Sequence, residues 1–164
     1  LEFYNPNELY SSILSINLKK YIKQFNQEYP PYSSIVINKK PLWEWAKLGL
    51  LDTIDIPSKM VEIYSFEEIE NDSIVNSYSK LHEQIKYMIN TLSKDNKPKF
   101  RVDEILHIWN IFFKQHNLSN FKPIIKKYRI KVSSGTYIRS LSNQIGNTLG
   151  CGAIAFDIER TNII

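Results

Sequence analysis

Apolar residues change their spacing several times along the chain, and each change predicts an element. Leu9, Ile13, Ile16, Leu18, Ile22 and Phe25 give a rough stripe at helical spacing. Asn5-Pro6-Asn7-Glu8 supplies a cap and an acid in the first turn, so the spacing predicts a helix over residues 5–26. Tyr29-Pro30-Pro31 then stops any helix. Residues 32–37 are β-branched and aromatic and read as a strand. Pro41 opens a short helix carrying Leu42, Trp43, Trp45 and Ala46, which ends near Gly49. Strand-like text resumes over residues 60–69.

Residues 71–123 have a different texture. Leu81, Ile85, Met88, Ile89 and Leu92 form one helical stripe, and Ile105, Ile108, Trp109, Phe112 and Phe113 form a second. A polar break at 93–98 separates them, so the segment reads as a helical hairpin inserted into a strand-rich fold. Lysines and arginines then alternate with apolar residues over 126–132, as in a half-exposed strand. Residues 136–149 form an amphipathic helix with Ile138, Leu141, Ile145 and Leu149 on one face. Gly150-Cys151-Gly152 ends it, and 153–158 reads as a final strand. The fold class is α+β, a mixed and largely antiparallel sheet flanked by helices. Residues 1–70 and 124–164 form the main portion, and 71–123 the insertion.

At 164 residues and 43% hydrophobic content, one domain with a real core is expected. No apolar run approaches the about 18 residues a membrane helix needs, so no membrane partner is expected. Cys151 is the single cysteine, which rules out an internal disulfide. That suits the cytoplasm or another reducing compartment such as a nucleus or organelle. Net charge is only +4, and its distribution says more. From residue 105 to residue 156 there is no Asp or Glu, while Lys114, Lys122, Lys126, Lys127, Arg129, Lys131 and Arg139 all fall there. A stretch of one sign that long points to a polyanion, nucleic acid first, or else to a solvated basic face.

Candidate chemistry lies between the last two elements. Ser133-Ser134-Gly135-Thr136 joins a strand to a helix, where open backbone N–H groups bind anions. Arg139 adjoins that turn, at the positive end of a helix, so it needs an anionic partner. Its guanidinium can grip a carboxylate or phosphate at two points, and Tyr137 can stack on a base. The commoner arrangement is plainer: Arg139 paired with Asp157 or Glu159, and Tyr137 in the core. His82, His107 and His116 lack metal-ligand spacing, so no metal is expected. Cys151 reads as a small buried residue, since no base for a nucleophile can be named. Trp109, Phe112 and Phe113 read as the core of the hairpin, or as a surface for a protein partner.

The run SSGTYIRSLSNQIGNTLGCGAIAFDIER closely resembles the carboxy-terminal motif of TruB-type RNA pseudouridine synthases, the family that includes dyskerin. QEYPPYSSIVINKKPLWEWAKLGL resembles, without a gap, the family segment Q-x-P-P-x-Y-S-A-x-K-x-x-G-K-P-L-Y-E-x-A-R-x-G-I. SKMVEIYSFE is similar to its R-P-V-T-I-Y strand. The three matches come in family order and fall on both sides of the insertion, which is outside the common pattern.

The resemblance implies an enzyme that isomerises a specific uridine in RNA to pseudouridine, for TruB itself in the T-loop of tRNA, with no cofactor or metal. The uridine is flipped out, an aspartate acts on it, the glycosidic bond breaks, and the uracil turns and rejoins through C5. Arg139 would pair with that aspartate. Tyr137 would lie beside the target base, Gly135 and Thr136 would line its site, and Ile158 would pack on the uracil. Lys40, Lys126, Lys127, Arg129 and Lys131 would meet RNA, the T-arm of tRNA first. Ser134 and Val36 replace family lysines, Lys39 a glycine, Tyr29 a proline and Ile154 a histidine, which bears on RNA contacts.

The family's aspartate segment, similar to G-T-L-D-P-x-A-T-G, precedes the P-P-x-Y motif and is not found in residues 1–29. Leu51-Asp52-Thr53 lacks its Pro and A-T-G, so Asp52 reads as a turn residue. The expectation is therefore the carboxy-terminal part of a longer enzyme, an expectation that the absent initiator methionine supports. Alone, it should be inactive, and poorly soluble or oligomeric because a half-sheet exposes an edge. The rival reading is a non-catalytic RNA-binding module or RNA chaperone.

Overall fold

Alternation of side chains organises the sheet. In a computed structural model that describes residues 16–70, 78–93, 101–115 and 124–161, strand β4 (Ser58–Glu70) lies between β1 (Gln24–Glu28) and β5 (Lys127–Val132). β1 and β4 run antiparallel, with Phe25 opposite Val61 and Gln27 opposite Lys59. On β4, Val61 and Ile63 are buried, while Met60 and Tyr64 face away and are exposed. β5 alternates as its sequence requires: Tyr128, Ile130 and Val132 are half-buried, and Lys127, Arg129 and Lys131 are exposed.

The chain divides into two compact units, Leu1–Glu67 with Arg129–Ile164, and Glu68–Tyr128. In the first, Leu42, Val61, Ile63 and Leu141 are fully buried, each worth about 1.5–3 kcal/mol. Leu42 belongs to helix α1 (Leu42–Lys47), which Pro41 caps in extended conformation and Gly49 terminates with φ +69°. A two-stranded hairpin, β2 (Val36–Ile37) with β3 (Lys40–Pro41), precedes it. Its turn residues, Asn38 and Lys39, both have positive φ, +50° and +65°. Two left-handed residues in succession make the turn that matches strand twist, so the glycine expected of the family at position 39 has a steric reason.

The second unit holds two helices that pack on each other, α2 (Tyr78–Ser93) and α3 (Val102–Gln115). Ile85 and Val102 are its buried anchors. Trp109 meets Phe112 edge-on at 5.8 Å. The side chains of Leu81, Leu92 and Phe113, and residues 94–98 of the polar break, lie outside the described residues. Near the strand ends Lys126 Nζ pairs with Glu68 Oε1 at 2.6 Å, with side chains only 8% and 22% exposed.

Helix α4 (Ile138–Thr148) returns to the first unit and buries Leu141 and Gly146. Gly146 is needed there for space. A Cβ at this position would overlap Ala153 N and the carbonyl carbon of Gly152. The Gly146 carbonyl accepts from Cys151 N at 3.1 Å and Gly152 N at 3.0 Å, so the chain turns back onto the helix.

Three expected elements differ. The helix over 5–26 is not continuous: residues 5–15 lie outside the described residues, Leu18–Tyr21 is a 3-10 turn capped by Asn17, and Gln24–Glu28 is β1. Pairing with β4 outweighs helical spacing, because it satisfies the backbone and buries Gln27. The strand over 32–37 contracts to Val36–Ile37, where its hairpin partner begins. Residues 153–158 form no strand, since no described residue pairs with them.

Candidate functional site

The turn between β5 and α4 is tied down from β4. Ser133 N donates to Glu62 O at 2.8 Å, and Glu62 N donates to Ser133 Oγ at 2.9 Å. Thr136 Oγ1 donates to Ser133 O at 2.8 Å, closing the turn. Gly135 adopts φ +82°, and a Cβ there would overlap the Lys59 ammonium. Lys59 Nζ donates to Ser134 O at 2.9 Å, so a cation is lodged where position 134 carries only a hydroxyl.

Tyr137 is the N-cap of α4, in extended conformation and without a side-chain cap bond. Buried Gln27 reaches it from β1. Tyr137 N donates to Gln27 Oε1 at 2.7 Å, and Gln27 Nε2 donates back to Tyr137 O at 3.1 Å. The Tyr29 ring meets the Tyr137 ring edge-on at 5.8 Å. Tyr137 is therefore half-buried and fixed by Gln27 of β1 and by Tyr29 just beyond that strand, not sunk in the core.

Arg139 follows in the first turn of α4, which contains no acid. It is exposed, and its Nη2 donates to Tyr32 O across a long 3.4 Å. Among the described residues it forms no ion pair, with Asp157, Glu159 or any other carboxylate. Asp157 Oδ1 instead accepts from Ile158 N at 2.8 Å. Guanidinium and helix dipole are thus positive together, and an anion beside them gains about 0.3–1 kcal/mol from the dipole alone.

The remaining candidates are dispersed. Ile158 is 45% exposed on the irregular segment after α4. Lys40 pairs with Glu44 at 3.4 Å and lies over the Trp45 ring. Lys126 is engaged by Glu68 in the second unit, with its side chain 8% exposed. Lys127, Arg129 and Lys131 share the exposed face of β5. Tyr128, between them, has its phenol pushed up to about 12 by burial and, less, by the Glu68 charge. Asp52 sits exposed in a 3-10 turn, Leu51–Thr53.

Cys151 is exposed, contrary to the buried position its size suggested, because it sits in the turn between Gly150 and Gly152, both at positive φ. Partial desolvation pushes its thiol up, only partly offset by a backbone hydrogen bond, which disfavours a thiolate nucleophile. Among the described residues no group of three or more His, Cys, Asp or Glu could hold a metal, and no helix is long and apolar enough to cross a membrane. A cleft of about 330 Å³ lined by Lys20, Lys23, Gln144 and their neighbours includes none of the candidate residues.

Two positioning groups escaped the sequence: Gln27 and Lys59. Both stand inside segments that match the family text, but spacing alone gave neither a role.

No protein-family model matches the chain. It is 28% identical over 157 residues to tRNA pseudouridine synthase B of Francisella tularensis subsp. holarctica, covering 96% of this chain and 35% of that relative. It is 34% identical over 143 residues to the enzyme of the same name from Thermotoga maritima, covering 76% of this chain and 43% of the relative. The Thermotoga petrophila protein matches to the same extent. The chain thus spans well under half the length of these relatives.

Proposed function

From membership of the TruB-type pseudouridine synthase family, to which this chain belongs, we propose that it forms the carboxy-terminal part of a catalytic domain that converts uridine to pseudouridine in RNA. Its substrate is tRNA, in keeping with the name its relatives carry, and the T-arm is the part of it that this reading assigns. One observation carries the reading: an exposed Arg139 in the first turn of α4, without a carboxylate among the described residues. In this account the partner is an aspartate on a separate segment, and the pair closes over the flipped uridine. Tyr137 flanks the base, and Gly135 and Thr136 shape the turn beneath it. The aspartate acts on the uridine, the glycosidic bond to N1 breaks, the uracil turns and bonds through C5, the C5 proton leaves to solvent, and N1 takes up a proton. Ile158 packs on the uracil once RNA is bound. Lys127, Arg129 and Lys131 meet phosphates, and the helical insertion meets a protein partner. No step requires a cofactor.

The test is tritium release from 5-³H-uridine in a T-arm stem-loop. The full reading frame containing this chain releases tritium; residues 1–164 alone do not. Release by 1–164 alone would refute the assignment of the aspartate to another segment. The second reading, an RNA-binding module, is favoured by the exposed cations of β5. It is the outcome if the full frame binds RNA in a salt-dependent way and releases nothing.

A further inference from the structure

Arg139 has little to hold it. Its described contact is the 3.4 Å bond to Tyr32 O, and it is exposed. A side chain so loosely held takes its direction from its backbone, and the start of α4 has no side-chain cap of its own. The cap function comes from elsewhere. Gln27, only 7% exposed, accepts from Tyr137 N and donates to Tyr137 O, a pair of bonds that mimics one rung of a β-ladder. The same carbonyl accepts from Leu141 N at 3.1 Å, closing the first turn of the helix. Both lone pairs of that oxygen are then used. Tyr29, the residue after the end of β1, supports the Tyr137 ring.

We propose that Gln27 is a positioning residue for the reaction: it locks the first turn of α4 onto β1 and so aims Tyr137 and Arg139. The proposal rests on the functional reading above. The specificity lies in the amide, which must accept at one atom and donate at the other. A glutamate in its place accepts from Tyr137 N, but donates to Tyr137 O only when protonated. Burial beside a carbonyl oxygen favours that neutral form. Gln27→Glu therefore converts a pH-insensitive clamp into one that opens as pH rises.

The experiment compares the full reading frame with its Gln27→Glu and Gln27→Met variants, measuring tritium release and site-resolved amide exchange from pH 5 to pH 8.5. Gln27→Met is expected to lower kcat about 10- to 100-fold while KM for the stem-loop moves less than about threefold, since misaimed groups lose transition-state and not ground-state contacts. Gln27→Glu should match the parent at the acid end and fall towards Gln27→Met at the alkaline end. A variant that only loosens the fold would lower activity at every pH. Full kcat in Gln27→Met, or a Gln27→Glu profile parallel to the parent, overturns the proposal. If the parent frame releases no tritium, the functional reading fails, and amide exchange still decides the clamp. Faster exchange at Tyr137 and Leu141 in Gln27→Met, restored by acid in Gln27→Glu, upholds it; unchanged exchange removes it.

Discussion

Gly146→Ala sets two physical effects against each other, and their difference has a definite sign. In the interior of an exposed helix the change stabilises by about 0.8–1 kcal/mol, because alanine loses less backbone entropy. Gly146 is buried, however, and its missing Cβ is where the chain returns. The atoms in the way are Ala153 N, the carbonyl carbon of Gly152, and Ala153 Cβ at 2.7 Å from the added carbon. Two of the three are backbone and no rotamer change clears them, so the turn after α4 must move. Moving it weakens the bonds from Cys151 N and Gly152 N to Gly146 O, at about 0.5–1.5 kcal/mol each. Overpacking adds about 1–3 kcal/mol. Against the propensity gain, the net is a loss of about 1–5 kcal/mol. Ser142→Ala is the control: it lies in the same helix, its hydroxyl only donates back to Ile138 O, and it should change stability by less than about 0.5 kcal/mol. The assay is the urea midpoint of the full reading frame. A Gly146→Ala midpoint at or above that of the parent would mean the turn does not approach the helix, and the account of residues 150–158 would fail with it.

Three further outcomes follow from charge and burial. Ultraviolet titration should find Tyr128 ionising near 12. Because this folded value lies above the ordinary one of about 10, the stabilisation it reflects is complete below pH about 10 and is lost as pH rises through 12. In Glu68→Gln the midpoint should drop but stay above that of a free phenol, since burial is the larger cause. On β5, Arg129→Ala and Lys131→Ala should each reduce the slope of log K against log salt for T-arm binding by about 1, whereas Lys126→Met should leave it unchanged because its charge is held by Glu68. Slopes in Arg129→Ala and Lys131→Ala unchanged from the parent would show that the exposed face of β5 does not meet RNA.

How far the chain could be read before its structure depends on what each element answers to. β5 was legible because Lys127, Arg129 and Lys131 alternate with Tyr128, Ile130 and Val132, and the strand obeys that alternation. α1 and α4 were legible because Pro41, Gly49 and Gly150 punctuate them. β1 was not, because Gln24-Phe25-Asn26-Gln27-Glu28 carries little strand propensity, and its pairing with residues 58–62 decides its conformation. Residues 153–158 were read as a final strand, but a strand needs a neighbour that no local pattern supplies. At the site, the placement of Arg139 in a first turn was visible in the text. Its freedom from Asp157 and Glu159 was not, since only geometry separates nearby carboxylates from bonded ones. The clamp by Gln27 links residues 110 apart in sequence, beyond the range of any local pattern.

The central claim is that Arg139 completes a catalytic pair with a carboxylate outside the described residues. Its most direct test is single-turnover tritium release by the full reading frame with Arg139→Ala and Arg139→Lys. Loss of a buried pair of about 3–5 kcal/mol corresponds to a fall of about 10²- to 5 × 10³-fold. Lysine should recover only part of it, because it lacks the two-point grip. Amide exchange in α4 should remain as in the parent. The account predicts that large, partly rescued fall with α4 intact. Release within about twofold of the parent in Arg139→Ala would contradict it.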